Sequence, residues 1–205
     1  MSDLERSLNS SSVAETLATY DKWAKNYNDD VDKEQYVAPQ SASDYVVKYL
    51  GTRDIASVKI LDAGCGTGLV GQHLAKRGAK QVQGIDLSPG MLEVARQTRV
   101  YQSLSVADLS QRLDLPDHSY DVVVCVGTMT QGHVGPEAFD ELVRVVKTGG
   151  IIVSTVRESV WKKNGYEDKV KELAKQGKVK LLSDQIEMQR IGEGVQAIFV
   201  VLEVQ

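Results

Sequence analysis

The stretch Val58–Gly68, which reads VKILDAGCGTG, most constrains what this chain can fold into. An apolar run of strand-forming residues ends in Asp62, and glycines follow at positions 64, 66 and 68. Glycines at alternate positions permit positive φ angles and let a ligand approach the backbone closely. The stretch therefore predicts a β-strand, a tight turn and a helix N-terminus that together bind a small ligand.

Strand-like and helix-like segments alternate downstream, which is typical of a parallel sheet covered by helices on both faces. Ser88 is expected to cap the helix that begins at Pro89. The last two strands form a hairpin through the glycines of 191–194, and the polar first arm is an edge strand. We predict strands over 58–63, 81–86, 101–106, 120–126, 150–156, 179–190 and 195–203, and helices over 68–77, 89–98, 136–147 and 166–176.

The N-terminal part differs from the rest of the chain in composition. Residues 1–12 are polar and serine-rich, and we expect a loose tail there. Residues 13–205 are expected to form one domain, with a helical cap over about 13–51. Within that cap, a helix over about 39–50 has a proline in its first turn and Gly51 as its stop.

An aromatic stripe marks the first predicted helix, over residues 14–27. Tyr20, Trp23 and Tyr27 recur at helical spacing and share one face. Two interpretations stay open at this point. The stripe packs against the domain body, or the helix also closes over a ligand.

Composition excludes several classes of function. With 205 residues, 42% apolar and 25% charged, the chain matches one globular domain, and no apolar run approaches the ~20 residues of a membrane span. The first residues lack a secretory pattern, and the two cysteines lack metal-binding spacing, so we expect a cytoplasmic protein without a metal. The net charge of -4 provides no basic surface for nucleic acid. The polar edge strand favours a monomer slightly.

The glycine spacing distinguishes between two cofactor classes. Dinucleotide-binding turns use G-x-G-x-x-G, whereas this turn is G-x-G-x-G with Leu69 where the last glycine would be. Asp62 would also repel a pyrophosphate, by about 4 kcal/mol for unit charges 4 Å apart at an effective dielectric of 20. S-adenosylmethionine has no phosphate and carries an ammonium and a sulfonium, so the turn favours S-adenosylmethionine.

Three acids at the ends of three strands support this interpretation. We expect Asp62 to receive the ammonium, directly or through water, and Asp86 to accept hydrogen bonds from both ribose hydroxyls. Asp108 is placed to accept from the adenine amino group, and Leu87 and Met91 would wall the adenine.

Four motifs, LDAGCGTG, GIDLSPGML, VADL and VVKTGG, together resemble the class I S-adenosylmethionine-dependent methyltransferases over about residues 14–156. The segments YDKWAKNYNDDV, YVAP, VYQSL and VGTMTQGHV are similar to the Williams–Beuren syndrome region methyltransferase-like proteins, within the ubiquinone-biosynthesis methyltransferase group. The resemblance implies a Rossmann-like three-layer α/β sandwich. Its seven-stranded sheet would have the order 3-2-1-4-5-7-6, with strand 7 antiparallel.

The same resemblance implies a set of cofactor contacts along the strand ends. Tyr20, on the N-terminal helix, is implied to lie near the cofactor. The expected cofactor-binding residues are Tyr20, Asp62, Gly64, Cys65, Gly66, Asp86, Leu87, Met91, Asp108, Leu109, Cys125, Val126 and Gly127.

The methyl acceptor is expected beyond the ends of the fourth and fifth strands. His133 is the best-placed general base, which is needed only if the acceptor arrives protonated, and a surface histidine is the competing interpretation. The expected substrate-pocket residues are Tyr27, Thr128, Met129, His133, Arg157 and Trp161.

The leading hypothesis is a methyltransferase that uses S-adenosylmethionine and acts on a small molecule. A non-catalytic cofactor-binding regulator is an alternative. An NAD(P)-dependent oxidoreductase would need Tyr and Lys one helical turn apart at a spacing of four positions. Tyr166 and Lys169 have a spacing of three. A nucleic-acid enzyme is disfavoured because the fourth strand leads into CVGTMT, without the Pro-Pro-aromatic sequence that holds a flipped base.

Overall fold

The chain folds around a seven-stranded sheet with the order β3-β2-β1-β4-β5-β7-β6. The computed structural model describes residues 13–131 and 134–205, so the expected tail over 1–12 and the candidate base His133 lie outside the described residues. The strands are β1 (Lys59–Ala63), β2 (Gln81–Asp86), β3 (Ser103–Val106), β4 (Tyr120–Met129), β5 (Val146–Arg157), β6 (Val179–Arg190) and β7 (Val195–Val204). β7 runs antiparallel to both of its neighbours, while the pairs among β1 to β5 are parallel. The predicted strand order and antiparallel strand are confirmed.

Helices lie on both faces of the sheet. The predicted cap of the helix that begins at Pro89 is confirmed, because the Met91 N–H donates to Ser88 Oγ over 3.1 Å. Within the described residues, no helix has both the length and the apolar character needed to cross a membrane. The helices are α1 (Val13–Trp23), α2 (Tyr27–Lys33), α3 (Ala38–Leu50), α4 (Leu69–Lys76), α5 (Pro89–Gln97), α6 (Ala138–Val145), α7 (Glu158–Trp161) and α8 (Tyr166–Lys175).

The single helix predicted over 14–27 is wrong, since the chain turns after Trp23 and begins α2 at Tyr27. The turn is closed by the indole N–H of Trp23, which donates to Asp30 Oδ2 over 2.9 Å. The Trp23 ring packs edge-on against Tyr27, with 4.7 Å between ring centroids. The spacing of the aromatic residues did not reveal this turn, because the rings contact one another across the turn as they would along one face of a continuous helix.

Two hydrophobic clusters fill the two faces of the sheet. On one face Ile152 and Val156 of β5 pack with residues of α6 and α8. On the other face Val124 and Ile151 pack with residues of α3 and α4. The central strands are therefore buried on both sides, which explains their nearly continuous apolar sequences.

Two polar contacts attach the cap helices, by which we mean α1 and α2, to the carboxyl edge of the sheet. Asp21 Oδ1 accepts from the Gly90 N–H over 2.9 Å and from the Ser88 hydroxyl, so α1 docks on the N-terminus of α5. The Thr67 hydroxyl donates to Asn28 Oδ1 over 2.6 Å and so joins α2 to the glycine turn. Both contacts end on the turns that follow β1 and β2.

The docking of α1 generates a test at Gly90. An alanine inside a helix usually stabilises by about 0.5–1 kcal/mol relative to glycine, but here its Cβ would lie 2.9 Å from Asp21 Oδ1 and 3.1 Å from Asp21 Cα. We expect Gly90→Ala to accelerate amide hydrogen exchange in α1 while α5 stays protected. Glu93→Ala, on the exposed side of α5, is the control. Unchanged exchange of α1 in the Gly90 variant would contradict the docking.

Candidate functional site

A cleft lies at the carboxyl ends of the parallel strands and beneath the cap helices. Its volume is about 830 Å³ when the space open to solvent at its mouth is included. The cleft is lined by Leu17, Tyr20, Tyr27, Gly64, Gly66, Asp86, Leu87, Ser88, Met91, Ala107, Asp108, Leu109, Val126, Gly127, Thr128 and Val134.

The glycine turn forms the floor of the cleft. Gly64 and Gly66 have φ angles of 77° and 53°, which residues with a Cβ rarely adopt. A Cβ at Gly64 would overlap with the Thr128 hydroxyl, whereas one at Gly66 would meet no atom of residues 13–131 or 134–205 within 4 Å. The turn is fixed to β2, because Gly64 and Cys65 both donate their N–H groups to the Ile85 carbonyl, over 2.8 and 3.0 Å. Gly66 therefore offers bare backbone to a ligand.

Asp86 is held in place by backbone donors at the end of β2. Its Oδ2 accepts from the Gly66 N–H over 2.8 Å, and its Oδ1 accepts from the Ser88 N–H over 2.9 Å. Burial raises the pKa of Asp86, and these backbone hydrogen bonds oppose the rise. A carboxylate has about four acceptor sites, so each oxygen retains capacity for a further donor. This arrangement fits the two hydroxyls of a ribose.

Asp62 lies behind the turn rather than on the surface of the cleft. Its side chain is fully buried, and the Tyr101 hydroxyl donates to Oδ2 over 2.7 Å. Oδ1 is buried and has no hydrogen-bond partner among the described residues. Burial raises the pKa of Asp62 to about 7, although the Tyr101 hydrogen bond lowers it. The free oxygen fits the prediction that Asp62 attracts an ammonium, and its depth favours the route through water over direct contact.

Tyr101 is a site residue that the sequence reasoning missed. Its ring occupies a slot bounded by three glycines: a Cβ at Gly68 or Gly84 would lie 3.1 or 3.0 Å from the ring, and one at Gly71 would overlap with it. Gly71 is helical and Gly84 lies in a strand, and neither has a positive φ. A glycine at a position that needs no positive φ indicates that another group approaches the backbone closely. Glycines within the predicted helix and strand were therefore the sequence signal for a bulky neighbour such as Tyr101.

The end of the cleft near β2 and β3 is apolar except for Asp108. Leu87, Met91 and Leu109 line it together with Ala107. Asp108 Oδ1 accepts from the Ser110 N–H over 2.8 Å and from the Ser110 hydroxyl over 2.6 Å. Apolar walls with one acceptor at the rim suit a flat heterocycle that carries an amino group.

The other end of the cleft, near β4, is lined by Tyr27, Gly127 and Thr128. The Gly127 N–H donates to Thr155 Oγ1 over 2.8 Å, and the Tyr36 hydroxyl lies where a Cβ of Gly127 would be. Burial raises the pKa of Tyr27 well above its usual value and that of Tyr36 to about 12. Both phenols therefore stay protonated at neutral pH, so neither serves as a general base.

Several predicted site residues lie away from the cleft surface. The thiols of Cys65 and Cys125 are buried, and burial raises the pKa of Cys125 to about 12. Met129 and Trp161 are packed in the hydrophobic cluster beside α6 and α8, with Trp161 only 7% exposed. Arg157 is half-buried at the end of β5. Apart from Asp62, which lies behind the turn, the remaining predicted cofactor residues line the cleft together with Tyr27 and Thr128.

Comparison with known proteins agrees with this fold. Residues 60–150 match a family model described as a methyltransferase domain. Human methyltransferase-like protein 27 is 40% identical over 146 residues, which are 71% of this chain and 59% of that protein. The ubiquinone biosynthesis O-methyltransferase of Alkalilimnicola ehrlichii is 34% identical over 121 residues, 57% of this chain and 48% of that enzyme. The chain thus spans less than two thirds of the length of these curated relatives.

Solved structures show the same architecture. A TehB-like SAM-dependent methyltransferase from Corynebacterium glutamicum has a TM-score of 0.64 at 22% identity, covering 92% of this chain and 99% of the other. Magnesium protoporphyrin IX methyltransferase from Synechocystis, solved with bound SAH, has a TM-score of 0.61 at 22% identity, covering 84% of this chain and 87% of that one.

The fold is that of solved structures named as S-adenosylmethionine-dependent methyltransferases, and residues 60–150 match a methyltransferase domain. The particular relatives include methyltransferase-like protein 27 and the ubiquinone-biosynthesis enzymes, so the resemblance predicted from the motifs is confirmed.

Asp86 provides the first test of the site. Asp86→Ala removes the acceptor of two ribose hydrogen bonds, each charge-assisted, and a loss above 1.4 kcal/mol corresponds to at least about tenfold weaker binding. We expect this loss for both S-adenosylmethionine and S-adenosylhomocysteine in isothermal titration calorimetry. Asp114→Ala, an exposed acid away from the cleft, should bind like the parent. An unchanged dissociation constant in the Asp86 variant would mean that the ribose lies elsewhere.

Asp62 provides a second test through pH. Its pKa of about 7 means that below this pH an ammonium ligand must displace a proton from the carboxyl. Affinity for S-adenosylhomocysteine should therefore rise with pH, by up to about tenfold per unit between about pH 5 and 7, and level off above. Asp86 also has a raised pKa, so its titration can change affinity with pH as well. Adenosine has the ribose but lacks the ammonium, so measuring its affinity beside that of S-adenosylhomocysteine reports the effect of Asp86 alone.

The ratio of the two affinities isolates the effect of Asp62. Asp62→Asn should abolish the pH dependence of that ratio while adenosine still binds. A ratio that stays constant with pH in the parent protein would show that Asp62 does not respond to the ammonium.

Proposed function

We propose that this protein transfers a methyl group from S-adenosylmethionine to a small-molecule acceptor in the cytoplasm. The observation that carries the proposal is the Asp86 carboxylate, which two backbone N–H groups hold at the end of β2, facing a cleft with an apolar pocket at one end. The bare backbone of Gly66 and the buried free oxygen of Asp62 add the features that the methionine part of the cofactor needs.

The residues of the cleft would act mainly by orientation. When bound, S-adenosylmethionine supplies a methyl carbon that an acceptor lone pair attacks in line, while the pair of the broken C–S bond stays on sulfur. Asp86 and Asp108 fix the nucleoside, and Tyr20 and Leu17 cover it from α1. Alignment of reactants can contribute about 7–11 kcal/mol, and the cap helices exclude water. Tyr27 is protonated and next to the acceptor end, so it is suited to donate a hydrogen bond.

Three observations support a small acceptor. The cap helices contribute Leu17, Tyr20 and Tyr27 to the lining of the cleft, and a site covered in this way suits a compact acceptor better than a macromolecule. The net charge of -4 disfavours a nucleic-acid partner. Relatives that match part of this chain are named for small acceptors, such as the ubiquinone biosynthesis O-methyltransferases.

A non-catalytic regulator that binds the same cofactor is the second candidate. It is favoured by one observation about the cleft-lining residues that the structure describes. Their titratable groups are the phenols of Tyr20 and Tyr27 and two carboxylates that accept hydrogen bonds from backbone N–H groups, so none of them is an evident general base. A methyl transfer to an acceptor that arrives deprotonated, or to a neutral sulfur or nitrogen lone pair, needs no base. The lack of an evident general base among the described cleft-lining residues is therefore compatible with the catalytic proposal.

Binding and transfer can be measured separately. We expect calorimetry to show binding of S-adenosylmethionine and S-adenosylhomocysteine and none of NAD. We further expect label from isotopically labelled S-adenosylmethionine to appear in small molecules of a cell extract, and not with Asp86→Ala. Binding without any labelled product, where a control methyltransferase works, would favour the regulator. Binding of NAD instead would overturn the proposal.

A further inference from the structure

Arg157 stands out as a half-buried cation at the carboxyl edge of the sheet. Within the described part of the chain, its guanidinium donates one hydrogen bond, to Gln131 Oε1 over 3.3 Å. Among the described residues, no carboxylate lies within ion-pair distance of it, whereas the half-buried Arg144 pairs with Glu141 over 2.6 Å. Unpaired arginines elsewhere, Arg53 and Arg99, are exposed to solvent. Arg157 is therefore charged, partly desolvated and without an ion-pair partner among the described residues.

This situation costs free energy that an anion would recover. Burial lowers the pKa of Arg157 and the nearby positive charge of Arg190 lowers it further, while the negative charge of Glu193, beyond ion-pair distance, opposes them. Arg190 itself is compensated, because Glu34 lies 3.0 Å from its guanidinium. Partly buried charges are normally paired, and a guanidinium matches the two oxygens of a carboxylate or a phosphate group. The missing partner of Arg157 thus has the chemistry of an oxyanion.

The position of Arg157 relates it to the cleft. Thr155 Oγ1 contacts the Gly127 N–H, and alternate residues of a strand point to the same face, so Arg157 follows Thr155 on that face towards the carboxyl edge. Val156 pairs with Met129, the residue after the cleft-lining Thr128. Arg157 therefore lies just beyond the β4 end of the cleft.

The order of the strands places the functional groups in a row. Along the carboxyl edge, Asp108 follows β3, Asp86 ends β2, Gly66 follows β1, Gly127 belongs to β4 and Arg157 ends β5. Three strand spacings, about 14 Å, separate β2 from β5. With adenine at Asp108 and ribose at Asp86, the rest of the cofactor is directed to β1 and β4. The next position in the row is where an acceptor would lie.

We propose that the methyl acceptor carries an oxyanion, a carboxylate or a phosphate, that Arg157 binds while a different atom of the acceptor receives the methyl group. This inference rests on the proposed function. Arg157 would determine specificity, and Gln131 orients its guanidinium while Gln131 itself is held by the Ser159 hydroxyl, 3.2 Å from Nε2. An oxygen that shares its charge with a guanidinium is a weaker nucleophile, so the bound oxyanion anchors the acceptor and is not methylated.

The charge of the labelled product tests this assignment. A small-molecule extract is incubated with isotopically labelled S-adenosylmethionine and the parent protein, and the products are separated on an anion-exchange resin. We expect the label on the resin. Blocking carboxylates in the extract with carbodiimide and an amine, or removing phosphates with a phosphatase, should abolish labelling in one of the two arms and so identify the oxyanion. A labelled product that flows through as a neutral or cationic molecule would overturn the proposal.

Variants of Arg157 separate recognition from folding. Arg157→Gln should keep its affinity for S-adenosylhomocysteine within about twofold, yet label about tenfold less product at low extract concentration and recover at high concentration. Arg157→Lys should recover part of the loss, and the exposed control Arg53→Gln should match the parent. Equal labelling by Arg157→Gln and the parent, or an equal loss of cofactor binding and labelling, would overturn the role of Arg157. Absence of any transfer by the parent would instead contradict the proposed function on which this role depends.

Discussion

The structure depends on the attachment of the glycine turn to the end of β2. The N–H groups of Gly64 and Cys65 share one acceptor, the Ile85 carbonyl, and the next donor, Gly66, binds the Asp86 side chain. Backbone groups of β1's turn thus fix both the main chain and the functional carboxylate of the neighbouring strand. The same hydrogen bonds that close the turn therefore orient the carboxylate that faces the cleft.

Buried Asp62 extends this arrangement below the turn. A carboxylate without full hydrogen bonding is costly in the interior, and the Tyr101 hydroxyl relieves the cost on one oxygen only. Room for the Tyr101 ring exists because Gly71 and Gly84 lack side chains. Glycines in a helix and in a strand weaken both elements locally, so their presence here reflects the requirement to bring a phenol to Asp62.

Much of the fold and part of the site follow from local sequence patterns. Apolar runs such as β4 and β7 and the Ser88-Pro89 cap depend on residues adjacent in the chain, and they were predicted within a few residues. Contacts between distant segments left weaker signals. Asp21 on Gly90 and Tyr101 on Asp62 join residues far apart in sequence, and a polar residue in a helix or a tyrosine before a strand indicates no particular partner.

The strand ends along the carboxyl edge show why the site of the methyl donor is easier to predict from sequence than the site of the methyl acceptor. Asp86 and Gly66 meet their partners through backbone hydrogen bonds that any chain with this turn would make, so a motif predicts them. Arg157 lies at a strand end where the backbone imposes no such contact. Its proposed role is inferred from the lack of an ion-pair partner among the described residues. A carboxylate partner from the protein would have cancelled its charge; a neutral amide from Gln131 orients the guanidinium and leaves the charge available to a ligand.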